Sequence, residues 1–392
     1  MLEPRSRSDR DGGGTGPAGA REGGWGGGVR GAHDSRLRPA GRIVPREQPI
    51  GTAVVGYGYW GPNLARNVAE CAQLRLEALC DTDPAQLHLF RRRHPDARTT
   101  HKLDAVLADP AIEAVVIATP PQTHAALAAR ALRAGKHVLV EKPLATRLRD
   151  ALDLAELARG SGRVLMPGHT FIYSPAVNAV RELIHGGVVG DVHFITSSRM
   201  NLGKYNGDGV VCDLAPHDLS ILLYWLEQPV VEVAASGSSV LRQGVSETAF
   251  MTLTFARGQT ANVQISWLAP RKVRQMIVVG SQRMVQYDDT ASDEPVRIYD
   301  RGMDMLPPTP ANFGEHQLIY RTGDVVIPRI EPREPLRLEL EDFAHAIHTG
   351  EEPRSNLALG IEIVAAVELA EASMRAGAKP LALAQPTDRV AA

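Results

Sequence analysis

From Gly51 onward, short apolar runs alternate with segments of helical periodicity. "TAVVGYG" is an apolar run that ends in glycines, and "PNLARNVAEC" follows with Leu64, Val68 and Cys71 at helical spacing. "LRLEALCD" reads as a second strand, "PAQLHLFRRRH" as a helix with Pro84 in its first turn, and "IEAVVIATP" as a strand covered on both faces. The alanine-rich "THAALAARALRAGK" predicts a helix stopped at Gly135; "HVLVEKP", a helix around Asp150–Ala158 and "RVLMPGH" follow. Strands and helices in this alternation predict a doubly wound parallel sheet, a Rossmann-type α/β domain.

After about Gly168 the rhythm changes. A helix around "AVNAVRELIHGG" leads to the strand "VHFITSSRM" and to a helix over "HDLSILLYWLE". From Val230 to Tyr299 the pattern is strand after strand: "VVEVAASGSS", "ETAFMTLTFA", "TANVQISWLA", "RKVRQMIVVGS" and "RMVQYDD". "PLRLELEDFAHAIHTG" and "ALGIEIVAAVELAEASMRAG" close the chain as two amphipathic helices. This predicts an α+β second domain built on an open, mostly antiparallel sheet.

With 392 residues the chain exceeds the roughly 250–300 that one core supports, and the expected division is 1–48, 49–168 and 169–392. The first segment, with "DGGGTGPAGAREGGWGGGVRGAHDSRLRPAGR", is rich in glycine and arginine and has almost no aliphatic periodicity. Such a segment buries too little apolar surface to offset its ordering entropy, so disorder is expected. It has no apolar run of the kind a secretory signal needs, and Glu3, Asp9, Asp11, Glu22 and Asp34 count against a transit peptide. A net charge of -2 argues against a nucleic-acid binder, and no apolar run approaches the ~18 residues that span a bilayer. Cys71, Cys80 and Cys212 show no paired spacing; reduced thiols in a cytoplasmic protein are the simplest account.

Within "TAVVGYGYWGPN" the glycines Gly56, Gly58 and Gly61 stand at G-x-G-x-x-G spacing between a strand and a helix, and Asp81 closes the next strand. Gly56 suits the tight turn, Gly58 lets backbone approach a pyrophosphate, and Gly61 permits close helix–strand packing. The amides around Tyr59 and Trp60 would meet the phosphates at a helix N-terminus. Asp81 would accept from the adenosine ribose and repel a 2′-phosphate, which favours NAD over NADP. Two places could carry chemistry. Glu141 and Lys142 follow an apolar strand, where a lysine can stabilise an alkoxide or simply be an exposed lysine before a loop. In "DLAPHDLSILLYW" Pro216 must stand in the first turn, since an interior proline breaks a helix. Asp213 and His217 then share one side; they read as an orienting carboxylate with a general base, or as an N-cap with a structural histidine. Two such ligands do not define a metal site, and none is expected.

The order of these pieces, with "TPPQTH" at a strand end and "EKP" before D-x-x-x-H, resembles the Gfo/Idh/MocA oxidoreductases from about Pro49 to Leu383. The resemblance implies a catalytic role for Lys142, Asp213 and His217. It also implies that Thr119, Pro120, His124 and Glu141 line the nicotinamide half of a bound NAD, and that the Lys142–Pro143 peptide is cis. Ile172 stands where many sugar and inositol dehydrogenases of that family carry an arginine. "GHTFIYSPAV" and "NLGKYNGDGVVCDLAPHDLSILLYWL" look instead like the branch of UDP-N-acetylglucosamine (or uronate) 3-dehydrogenases. That likeness makes a sugar or nucleotide sugar the expected substrate, oxidised at C3. Arg199, Asn201 and Lys204 are candidate sugar or diphosphate ligands, and so are His169 and Tyr173; a strand-end charge or a structural side chain remains an equal reading for Arg199, His169 and Tyr173. The alternatives are a dehydrogenase of free sugars or inositol, a glycoside hydrolase using transient C3 oxidation, and a non-catalytic NAD-binding regulator. A homodimer or homotetramer, paired through the open sheet, is expected from the same resemblance.

Overall fold

The computed structural model describes residues 48–203, 207–306 and 317–383. Lys204 and all but the last position of the tail expected over 1–48 lie outside the described residues. The first part of the chain runs β1 (Ile50–Val55), α1 (Gly61–Glu70), β2 (Leu74–Cys80), α2 (Pro84–Arg93), β3 (Arg98–Thr100), α3 (Leu103–Leu107), β4 (Ala114–Ile117), α4 (Pro121–Arg133), β5 (His137–Glu141), α5 (Leu148–Ser161) and β6 (Leu165–Gly168). Its strands pair in parallel in the order β3-β2-β1-β4-β5-β6. The order reverses between β1 and β4, and at such a switch point a crevice opens beyond the carboxyl ends of the strands.

The apolar runs are continuous because both faces of these strands are covered. Ile50, Val54, Ala114, Val116 and Leu139 pack into one core, while Ala53, Val55, Val115, Ile117, Val138 and Val140 pack into another. Successive residues of a strand thus feed opposite layers. Each fully buried valine or isoleucine contributes about 1.5–3 kcal/mol.

A short 3-10 turn (Thr170–Tyr173) leads into α6 (Pro175–His185), β7 (Val192–Met200), α7 (Gly209–Leu226), β8 (Val230–Ser238), β9 (Thr248–Phe255), β10 (Thr260–Ser266), β11 (Val273–Gly280), β12 (Met284–Asp288), β13 (Val296–Leu306), β14 (Gln317–Val326), α8 (Pro335–Thr349), α9 (Leu357–Arg375) and β15 (Leu381–Ala382). The second sheet has the order β14-β13-β12-β11-β7-β10-β9-β8-β15. Only β10 and β7 pair in parallel among these neighbours, so the sheet is mixed and mostly antiparallel. One face packs on α6, α7 and α9 around Trp225, whose indole N–H donates to the Val177 carbonyl at 2.8 Å. The other face leaves Phe194 and Phe250 exposed, each alternating with a buried neighbour.

Two expectations need correcting. Pro216 does not stand in a first turn: α7 starts at Gly209, and the proline lies inside it. It removes the hydrogen bond to the Cys212 carbonyl and crowds that turn, at a cost of about 3 kcal/mol in an ordinary helix. The helix persists because its body is buried, with Leu219, Ile221, Leu222 and Trp225 inaccessible. The strand pattern also does not stop at Tyr299. β13 and β14 extend the sheet, hidden from a periodicity reading by a register shift between Tyr299 and Arg301 and by Gly302 and Gly323 within the strands.

Candidate active site

The glycine loop opens onto a cleft of about 1630 Å³ that runs from the carboxyl ends of the parallel sheet to the covered face of the second. Gly56 has φ +94°, a conformation L side chains rarely adopt, and a Cβ there would meet the Ala118 carbonyl oxygen at 2.6 Å. A Cβ on Gly61 would collide with the Gly56 carbonyl oxygen. One on Gly58 would meet nothing within 4 Å, because it would project into the cleft. The three glycines are therefore needed for three reasons: a turn, a close contact and an open approach. No side chain caps the start of α1; Pro62 has no N–H and the Asn63 and Leu64 amides bond to the Trp60 carbonyl, so the amide offered to a ligand at this helix start is that of Gly61. Asp81 lines the same cleft, and its carboxylate accepts from the Tyr57 amide at 2.6 Å and the Asp83 amide at 2.8 Å. These residues fit a dinucleotide: an uncapped helix start, an unobstructed glycine and an acid beyond β2. Tyr59 and Trp60 line the loop, with Tyr59 fully out in solvent.

At the other end of the cleft Lys142, Asp213 and His217 come together. Lys142 follows β5, and the Lys142–Pro143 peptide is cis, as the resemblance implies. Its Nζ donates to the Asp213 carbonyl at 2.8 Å and to Asp213 Oδ1 at 3.1 Å. Asp213 Oδ2 accepts from Trp267 Nε1 at 3.1 Å. An ammonium has three N–H donors, so Asp213 takes two and leaves one for the cleft. The expected orientation of His217 by Asp213 is not what is found. The carboxylate is engaged by Lys142 and Trp267, and it positions the lysine instead. His217, one turn further along α7, lines the cleft with its ring edge-to-face on Phe171 at 5.0 Å. Burial, and then the positive charges of Lys142, Arg199 and Arg274, hold its imidazole well below the ordinary histidine value of 6.5. A neutral imidazole beside an ammonium can accept a proton while the ammonium stabilises an oxyanion.

Of the other candidates, Thr119, Pro120, His124, Glu141 and Asn201 border the cleft. His124 is buried, with Nδ1 2.8 Å from the Pro143 carbonyl and Nε2 2.8 Å from the Thr119 carbonyl, so it ties the end of β4 to the Lys142–Pro143 turn. Tyr173 and Arg199 do not reach the cleft, which corrects their expected place. Tyr173 is buried and donates to Asp342 Oδ2 at 2.7 Å. Arg199 is buried behind Phe171, with its guanidinium 4.5 Å from that ring and its Nε bonded to Asp218 Oδ2 at 3.0 Å. His169 is buried too, between Gly168 and Thr170, which themselves line the cleft.

Among the cleft residues that went unread in the sequence are Phe171, Trp267, Arg274 and Asp289, which lie around the candidate acid–base group. Arg274 lies directly across from Arg199 in the β11–β7 ladder, where like charges repel. Each is neutralised separately, Arg199 by Asp218 and Arg274 by Asp289 at 2.8 Å. The sole hint was an arginine at an inward position of the strand "VRQMIVVG".

Residues 50–169 match the family described as "Oxidoreductase family, NAD-binding Rossmann fold", and residues 177–286 match the "GFO/IDH/MocA C-terminal domain". The chain belongs to the Gfo/Idh/MocA family. It is 34% identical over 209 residues to the 1-carboxy-3-chloro-3,4-dihydroxycyclohexa-1,5-diene dehydrogenase of Comamonas testosteroni, a match covering 50% of this chain and 53% of that enzyme. It therefore spans about half the length of that relative. Identity to the UDP-N-acetylglucosamine 3-dehydrogenase of Acidithiobacillus ferrooxidans is 28% over 327 residues, 81% of this chain and 97% of that one. A solved structure of that dehydrogenase superposes with a TM-score of 0.70 at 26% identity, over 84% of this chain and 98% of the other. A protein of gentamicin A biosynthesis solved in complex with NAD shares the fold, with a TM-score of 0.72, 24% identity and coverage of 86% and 97%.

Two outcomes follow for this Gfo/Idh/MocA member. Gly58→Val is expected to fold with unchanged thermal midpoint but to lose NAD binding by calorimetry, whereas Gly61→Val should lower stability by about 2 kcal/mol or more through overpacking against backbone. Equal destabilisation by the two would sink the assignment of separate roles. An NMR titration of the His217 ring should find it neutral to below pH 6.5. Because the surrounding cations disfavour its protonation, Arg274→Gln should move the midpoint upward; a midpoint at or above 6.5 in the native protein contradicts the electrostatics.

Proposed function

We propose that the protein is an NAD-dependent dehydrogenase that oxidises a secondary hydroxyl, at C3, of a nucleotide-linked sugar such as a UDP-N-acetylhexosamine. The observation that carries this reading is the Lys142–Asp213–His217 group, set at the far end of one continuous cleft from the glycine loop. Lys142, held by Asp213, offers its remaining N–H to the reacting oxygen and stabilises the alkoxide as it develops. His217 accepts the hydroxyl proton. A bound nicotinamide supplies the hydride acceptor. Arg274 and Asp289 face the same space with donors and an acceptor suited to sugar hydroxyls. The nucleotide-sugar substrate is supported by similarity along nearly the whole length of the Acidithiobacillus dehydrogenase. NAD is favoured over NADP because Asp81 would repel a 2′-phosphate. The exposed sheet face bearing Phe194 and Phe250 suits pairing into a homodimer or homotetramer, in a cytoplasmic setting.

The test is absorbance near 340 nm with NAD and then NADP against UDP-hexosamines, UDP-uronates, free sugars and inositols, with products identified by mass. NADH formation and a loss of two mass units on a UDP-sugar is the expected outcome. Turnover of free sugars or inositol alone would discard the nucleotide sugar, and sugar release without net NADH would point to a glycoside hydrolase. Lys142→Ala and His217→Ala are each expected to lower kcat by ~10²–10⁴. Near-normal turnover in either variant removes that residue from the mechanism.

A further inference from the structure

Behind Lys142 lies a group of buried polar side chains that hydride transfer does not use. Glu141 ends β5 opposite Gly168 of β6, and its Oε2 accepts from the Lys142 amide at 3.2 Å. The Trp60 side chain lies beside the same carboxyl. Glu141 Oε1 is buried without a hydrogen-bonding partner among the described residues. Glu339, on α8, is wholly inaccessible; its Oε2 accepts from Thr170 Oγ1 at 2.8 Å, and its Oε1 is likewise without a partner. His169 lies between Gly168 and Thr170 with both ring nitrogens buried and unbonded.

The charges around this group can be assigned one by one. Burial opposes the ionised form of Glu141, while the Lys142 ammonium and amide and the neighbouring Trp60 favour it. The charge of Glu141 acts in turn on Glu339, which also faces Asp342 and the Thr170 hydroxyl. His169 adds no charge, since burial and Lys142 push it down to about 3. Two neighbouring buried carboxyls cannot both ionise at neutral pH. Burial pushes both upward; Glu339 is inaccessible and accepts only from the Thr170 hydroxyl among the described residues, whereas Glu141 borders the cleft and accepts from the Lys142 amide, so Glu339 holds its proton and Glu141, pushed up to about 7, titrates.

We propose that Glu141 is a proton store coupled to the redox state of the nicotinamide beside it, with neutral Glu339 confining the pair to a single negative charge. This rests on the reading that the nicotinamide half of the cofactor lies at Glu141 and Lys142. Oxidised nicotinamide is cationic and favours the carboxylate; reduced nicotinamide is neutral and does not. During oxidation the alcohol loses a hydride from carbon to NAD+ and a proton from oxygen to His217, and a C=O bond forms. The imidazolium of His217 is disfavoured by three neighbouring cations and returns its proton to solvent in the open cleft, while Glu141, which borders the same cleft and whose counter-charge has just been removed, takes one up. One hydride and one proton leave the alcohol, and both are accounted for.

The test measures dissociation constants of NAD+ and NADH by fluorescence across about pH 5.5–8.5 and takes their ratio, in which effects at the adenosine end cancel. In the native protein the preference for NAD+ should rise by up to about tenfold per pH unit as pH approaches 7 from below, then level off. In weakly buffered solution near pH 6.5 NAD+ binding should release up to one proton, and NADH binding none. Glu141→Gln should make the ratio independent of pH, whereas Glu339→Gln, neutral like the residue it replaces, should keep the dependence. A flat ratio in the native protein, a dependence that survives Glu141→Gln, or one lost in Glu339→Gln overturns the proposal. Should Glu141→Gln fail to fold, the native proton release decides alone. If the native protein binds neither form, the cofactor reading itself fails, and this inference with it.

Discussion

The Lys142 ammonium is held between the carbonyl and the carboxylate of a single residue, Asp213, and through it the parallel sheet meets the second domain at a charged contact. Lys142 leaves the end of β5, and Asp213 belongs to α7, which packs on the other sheet. Both side chains are only partly accessible, at 19% and 27%. In such a setting the attraction is screened less than on a surface, and losing one partner strands the other's charge. The neighbours act on this contact. Trp267 fixes the carboxylate and His124 fixes the turn that carries the lysine, while Pro216 lies in the same helical segment as the Asp213 carbonyl that accepts from Nζ. A proline inside α7 is costly for the helix, and burial of the helix body offsets that cost.

That proline marks the boundary of what the sequence discloses. The parallel sheet was legible where its strands are buried on both faces, as β1, β4 and β5 are, so that local pattern and tertiary position agree; the accessible edge strand β3 and the short α3 carry no such pattern and went unread. The glycine loop was legible for a related reason, since three steric demands fall within six consecutive residues. A helix rule placed Pro216 in a first turn and thereby shortened α7, because the rule weighs only the local cost and not the burial that offsets it. Arg274, Asp289 and Trp267 were invisible for another reason. They reach the cleft from a strand and two turns that are brought to α7 by sheet register alone, and no local pattern encodes that.

The corrections to Arg199 and Tyr173 share a cause. Both are polar residues that turned inward to meet acids, the buried Asp218 and the half-buried Asp342. Arg199 still acts on the site from behind Phe171, as one of the charges that depress His217. A cation can thus tune a base without touching substrate.

The adjacent pair Glu141–Lys142 separates two electrostatic tasks by geometry. Successive side chains at a strand end point to opposite sides. Lys142 turns to α7 and meets the Asp213 carboxylate; Glu141 turns to α1 and α8 and meets Trp60 and the wholly buried Glu339. Reversed environments would fail: a lysine facing the buried acids would be neutralised by them, and a glutamate facing Asp213 would bring two anions together at the reacting oxygen. The order of the two residues at the end of β5 therefore decides which face of the cleft holds a fixed positive charge and which holds a proton that can be exchanged.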